Sequence, residues 1–176
     1  MMEDLGVQQK DVARWVGTIC ATFSLCQSVA AIPWGRASDK FGRKPTILAG
    51  MSCTMVTSIL FGFSKTLPMA IAVRVFAGLG NGNIGIIRTS VAEMVPEKEL
   101  QPRAFSIMPL VWTIGSIFGP AFGGFLAKPA QHFPNLFENC KFLIEYPYAL
   151  PNLIAAVFFT IGLATGILFL KVHIIL

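Results

Sequence analysis

The segment Gly35-Arg36-Ala37-Ser38-Asp39-Lys40-Phe41-Gly42-Arg43-Lys44-Pro45 gathers one carboxylate, four bases and two glycines. These residue types suit a tight link between two helices. Asp39 is placed to cap an adjacent helix N-terminus or to pair with Arg43. Gly42 permits a turn at positive φ, and Gly35 lets the preceding helix approach a neighbour closely. The alternative is a basic loop of ordinary turn residues. A second position is Arg74, a base about eight residues inside an otherwise apolar run. If that run crosses lipid, a charge at this depth is costly and marks a pathway, a partner or a gate. The alternative is a long side chain reaching up to the interface. At 100° per residue, Arg74, Gly78, Asn81, Gly85 and Arg88 lie within about 40° of one line, a polar and small face on an apolar helix. A third stretch places glycine at 115, 119 and 123, followed by Gly124. That spacing lets helices pack closely, and Pro120 removes a backbone hydrogen bond and bends the helix there. A bend beside a glycine stripe suits a helix that rocks against its neighbour; static packing is the alternative.

The elements that carry these residues are legible from where the charges fall. Of the 176 residues, 54% are apolar and 13% charged, with a mean hydropathy of +0.65. Soluble domains carry about 25% charged residues. The composition excludes a disordered chain and argues against a soluble domain. Charge-poor runs predict five transmembrane helices over about 15–35, 45–64, 66–87, 104–127 and 147–170. Each run is long enough at 1.5 Å per residue to cross about 30 Å of hydrocarbon. They show no strand alternation, and backbone groups in lipid must be satisfied within the segment, so helices are expected. The predicted fold class is therefore all-α, a polytopic helical membrane protein forming a single domain over 1–176.

Connections alternate between the two sides. Arg36, Lys40, Arg43, Lys44, Arg88, Lys98, Arg103 and Lys171 fall on one; Lys10, Arg14, Lys65, Lys128 and Lys141 fall on the other. The richer side is expected in the cytoplasm, which puts the N-terminus outside or in a lumen. The first ten residues lack the apolar core of a cleavable signal peptide. The stretch from Lys128 to Tyr146, with two prolines and His132, predicts an irregular polar connection.

Other chemistries find little support. Cys20, Cys26, Cys53 and Cys140 form no paired ligand spacing, and His132 and His173 stand apart, so no metal site is expected. Gly78-Leu79-Gly80-Asn81-Gly82 sits inside a span with no preceding strand, which argues against a nucleotide loop. No nucleophile–base pair is visible, so neither an enzyme nor a cofactor is expected. The bases form no nucleic-acid patch.

Taken together, the three stretches resemble signature motifs of the major facilitator superfamily, in that family's order and spacing. Gly35, Asp39, Lys40, Gly42, Arg43 and Lys44 match the loop between its second and third helices. Arg74, Gly78 and Gly80 match its fourth-helix motif. Gly115, Gly119, Pro120, Gly123 and Gly124 match the fifth-helix motif of the drug:proton antiporter branch. The run Tyr146-Pro147-Tyr148-Ala149-Leu150-Pro151-Asn152-Leu153 resembles fungal and plant members of that branch. Lys40 stands where Arg is frequent, and Ala77 where Gln is frequent.

The resemblance implies roles. Asp39 and Arg43 would form a cytoplasmic charge latch holding the outward-facing state, with Glu93 a further partner for Arg43. Arg74 would serve a proton relay or structure the cavity, and the Gly-Pro span would act as hinge and proton seal. Gln27 and Asn81 would be cavity polar groups or, alternatively, interhelical hydrogen-bonding groups. Family members build two halves from inverted three-helix repeats. This chain would supply helices two to six, a truncated form without the first helix and the C-terminal half. No Asp or Glu falls inside the five expected spans. The implied function is proton-coupled export of small organic molecules or metal–ligand complexes by alternating access. The alternative is a non-transporting membrane protein that pairs its glycine faces with the missing half or a full-length transporter. Implied partners are the lipid bilayer, a small-molecule substrate and protons, with no nucleic acid.

Overall fold

The computed structural model describes residues 7–127, 146 and 148–169. The expected polar connection between Lys128 and Tyr146, with Cys140 and His132, lies outside the described residues apart from Tyr146, as do Lys171 and His173. Among the described residues there is no strand. A single 3-10 turn, Gln9–Asp11, leads into α1 (Val12–Phe41), α2 (Arg43–Gly62), α3 (Leu67–Leu79), α4 (Asn83–Met94), α5 (Gln101–Leu126) and α6 (Ala149–Phe169). Among the described residues five helical segments are long and apolar enough to cross a membrane, with α3 and α4 together forming one of them.

Two features depart from the lengths expected of the apolar runs. The helix expected to end near residue 35 continues to Phe41 and spans about 45 Å. The expected loop of eleven residues therefore shrinks to Gly42 alone. Its φ of 97° and ψ of 159° fall where only glycine is comfortable, and its N–H closes the helix on the Ser38 carbonyl at 3.0 Å. Pro45 follows within the first turn of α2, where a missing N–H costs nothing. The second departure is in the third run. In place of one helix over 66–87, the chain breaks after Leu79 and restarts at Asn83. Gly80, Asn81, Gly82 and Asn83 in succession are turn formers that compete with the helix.

Large apolar side chains face outward: Leu25, Ile32, Phe76 and Trp112 are all exposed, as expected of helices surrounded by lipid rather than water. The interior mixes β-branched Ile19, Ile47, Val73 and Ile86 with small residues. Ala30, Ala70, Ala149 and Ala156 are buried, together with Ser38, Thr46, Thr57 and Ser90. Lipid tails are as apolar as leucine, so helices associate here through close van der Waals contact. The buried hydroxyls of Thr46, Thr57 and Ser90 donate to carbonyls four residues back, so these donors are satisfied within their own helices.

The bundle contains two fastened pairs. α1 packs along α3, and α2 packs along α6. Gly78 of α3 sits so close to α1 that an added Cβ would lie 2.6 Å from the Phe23 carbonyl oxygen. α2 and α6 are pinned at both ends. Lys44 donates to the Ile167 carbonyl at 2.6 Å, a cation on a helix C-terminus. Ser58 donates to the Asn152 side chain at 3.2 Å, and Phe63 meets Tyr146 edge-on at 5.1 Å. Among the described residues α5 makes its main contacts with α4 and α6 and has no buried residue.

Candidate functional site

Gly42 turns the chain so that the first residue of α2 folds back onto the end of α1. Arg43 is thereby aimed at three acceptors. Its guanidinium lies 2.9 Å from an Asp39 carboxylate oxygen and 3.0 Å from Glu93 at the end of α4. It also donates to the Ser38 hydroxyl at 3.0 Å. Asp39 and Glu93 both belong to the Arg43 cluster, and Asp39 caps no helix. Ser38 was not singled out from the sequence, yet it is the buried floor of the cluster at 1% exposure. The Arg43 side chain is 22% exposed, Glu93 36% and Asp39 69%. Pairs this open to solvent contribute about 0–1 kcal/mol each. The cluster is thus a fastening that ordinary conformational energies can undo.

The neighbouring motif residues go elsewhere. Lys44 does not join the cluster; it binds the end of α6. Lys40 is exposed, its ammonium 5.6 Å from the Phe41 ring centroid. Gly35 meets nothing within 4 Å, so among the described residues it does not serve the close approach expected of it.

Arg74 lies on α3 between two rings. Its guanidinium carbon is 4.2 Å from the Phe61 centroid and 5.9 Å from that of Phe23. Its Nε is buried without a hydrogen-bond partner. Aromatic faces hold a cation electrostatically while providing no lone pair, so the guanidinium keeps its donor capacity. The polar line projected through Arg74, Gly78, Asn81, Gly85 and Arg88 does not persist. Gly78 is buried against α1, whereas Gly85 and Arg88 are exposed on α4. The physical reason is the break, which restarts the helical phase at Asn83.

That break is stitched to its neighbours by side chains. Trp34 Nε1 donates to the Leu79 carbonyl at 2.7 Å, and Gln27 Nε2 donates to the Asn81 carbonyl at 3.0 Å. Asn83 Nδ2 donates to the Ile47 carbonyl of α2 at 3.1 Å. Helix breaks at membrane depth survive only where side chains satisfy the freed backbone groups. The Gln27 amide is therefore engaged in an interhelical bond. Glycine is required here by contact: side-chain atoms of Cys53 fill the space a Gly80 Cβ would need, and Trp34 fills that of Gly82. Trp34 and Asn83 were missed from sequence; the signal that could have found the joint was the Gly-Asn-Gly-Asn run itself.

Among the described residues the glycine stripe on α5 has no neighbour. Gly115, Gly119, Gly123 and Gly124 meet nothing within 4 Å, and α5 stays helical through Pro120. No group of three His, Cys, Asp or Glu converges among the described residues.

Compared with known proteins, the chain matches the family described as Major Facilitator Superfamily over residues 1–174. A major facilitator superfamily multidrug transporter of Aspergillus fumigatus is 46% identical over 97% of this chain and 29% of its own length. The protein ZINC INDUCED FACILITATOR-LIKE 1 of Arabidopsis thaliana is 37% identical over 90% of this chain and 33% of its own. The class H tetracycline resistance protein of Pasteurella multocida is 30% identical over 74% and 32%. The chain spans about a third of the length of these relatives. No solved structure matches it significantly.

Proposed function

We propose that this chain, an integral membrane protein that belongs to the Major Facilitator Superfamily, is part of a secondary active transporter that exports small organic molecules, or their metal complexes, in exchange for protons. Transport proceeds by alternating access, with halves rocking about a midplane site. The observation that carries this reading is the Arg43 cluster. It ties the α1–α2 corner to the end of α4 through weak, solvent-accessible ion pairs. Such contacts fit a latch that closes the cytoplasmic end in one state and opens in the other. The basic residues at this end favour the cytoplasm as its location. Arg74 is the intramembrane cation of the pathway, held by rings and left with donors for an anionic partner in the translocation cycle.

The test is proton-coupled efflux by a full-length protein containing this sequence, with Asp39→Ala and Arg74→Ala introduced separately. Reduced efflux in both supports the roles given; wild-type rates in both remove them.

One observation favours a second reading. Nothing among the described residues covers the α5 glycine face, and close-packing faces of this kind bind other transmembrane helices. It fits docking onto the remainder of a longer carrier or onto a separate transporter. Co-purification of this short chain with a partner, without efflux of its own, would select that reading.

A further inference from the structure

Gln27, Trp34 and Ser38 lie on α1 at offsets of seven and eleven residues, within about 20° of one line. All three face the third segment or the latch. Gln27 and Trp34 hold the two carbonyls at the α3–α4 break, and Ser38 accepts from Arg43. One stripe of one helix therefore reaches the break before α4 directly and the far end of α4 through Arg43. At its start α4 is held by Trp34 against Gly82 and by Asn83 on α2. At its far end it is held by Glu93 on Arg43. α3 is secured independently, by Gly78 pressed onto α1 and Arg74 set between rings.

From this arrangement we infer that Trp34 and Gln27 are positioning residues for the latch: they fix the pivot about which α4 swings when Glu93 leaves Arg43, while α3 stays with α1. Neither touches Arg43 or Glu93 in the structure; they act through the α4 backbone. The Gly80–Gly82 break supplies the freedom to swing, because glycine lacks the Cβ that restricts φ and ψ, while the close packing of Gly80 on Cys53 and of Gly82 on Trp34 keeps the joint in place. Trp34 limits that freedom with a hydrogen bond to a carbonyl that the helix itself leaves unpaired. The inference rests on the transporter reading only for its consequence in turnover, not for the mechanics of the joint.

The experiment is amide hydrogen exchange on the full-length protein in lipid nanodiscs, comparing wild type with Trp34→Phe, which keeps a ring and removes the N–H. Gln27→Met removes the companion bond, and Gly82→Ala displaces the Trp34 contact independently of either. The expected result is exchange about fivefold faster within 83–94, the worth of one net hydrogen bond, with 67–79 unchanged. Equal acceleration of α3 and α4, or no acceleration in any variant, would overturn the inference. In efflux, Trp34→Phe should lower the maximal rate and leave KM unchanged, since it touches no cargo; a raised KM overturns the positioning role. A wild-type protein that exports nothing would refute the transporter reading while the exchange result still decides the pivot.

Discussion

Replacing Gly42 with alanine isolates the backbone requirement of the latch. Gly42 has φ of 97° and ψ of 159°, in a region that residues with a Cβ avoid. Its surroundings are open: an added Cβ would meet only Pro45, at 3.8 Å. The penalty is therefore conformational and not a clash, and amounts to about 1–3 kcal/mol. At about 2 kcal/mol, the folded-to-unfolded ratio falls roughly 30-fold. The chain can evade the strain only by rotating the peptide that aims Arg43, which would cost the contacts to Asp39 and Glu93 as well. Gly35→Ala is the internal control. It too replaces a glycine in the same motif, but inside α1 with nothing within 4 Å, where alanine is favoured by about 0.5–1 kcal/mol. Reversible unfolding of both variants of the full-length protein in mixed micelles gives the comparison directly. Gly42→Ala should be destabilised and Gly35→Ala unchanged or stabilised. Equal stability of the two variants would refute the claim that the one-residue turn sets the latch geometry.

Three further outcomes follow from individual contacts. Lys44→Met should loosen the α2–α6 pair by about 1.5–3 kcal/mol, the worth of a hydrogen bond to a charged group, with partial recovery in Lys44→Arg; equilibrium unfolding of the two variants measures it. Arg74→Lys should retain only part of wild-type efflux although the charge is kept, because a point ammonium cannot stack on Phe61 as a planar guanidinium does; full efflux in Arg74→Lys would leave the ring contact without a role. Gly119→Leu should leave the stability of the isolated 176-residue chain within about 0.5 kcal/mol, because no neighbour among the described residues occupies that face. The same change in the full-length protein should reduce efflux if a helix packs there.

The helices and their order were legible because lipid imposes a simple rule: runs free of charge must be long, and their ends carry the charge. Arg43 with Asp39 was legible because opposite charges on either side of a tight turn lie within reach of each other. Two things were hidden. The extension of α1 through Pro33 to Phe41 was hidden because charge marks where a helix leaves lipid, not where it stops being helical. The break after Leu79 was hidden because mean hydropathy stays high across it, and a helical wheel drawn through Gly80–Gly82 assumes the continuity that those residues abolish. Trp34 and Asn83 were missed with it: Trp34 satisfies a carbonyl that becomes free only once the helix is known to be interrupted, and Asn83 ties the restarted helix to the Ile47 carbonyl of α2. The α5 glycines are the reverse case. Their spacing is plain in the sequence, but the helix they would pack against does not lie among the described residues.

Charge reversal across the latch tests the transporter account most directly. Arg43→Glu and Glu93→Arg, made singly in the full-length protein, each set like charges about 3 Å apart where an ion pair now stands. Each should abolish most efflux, and the two together should restore a measurable part of it. Single reversals that export at the wild-type rate, or a double variant no better than either single, would contradict the account.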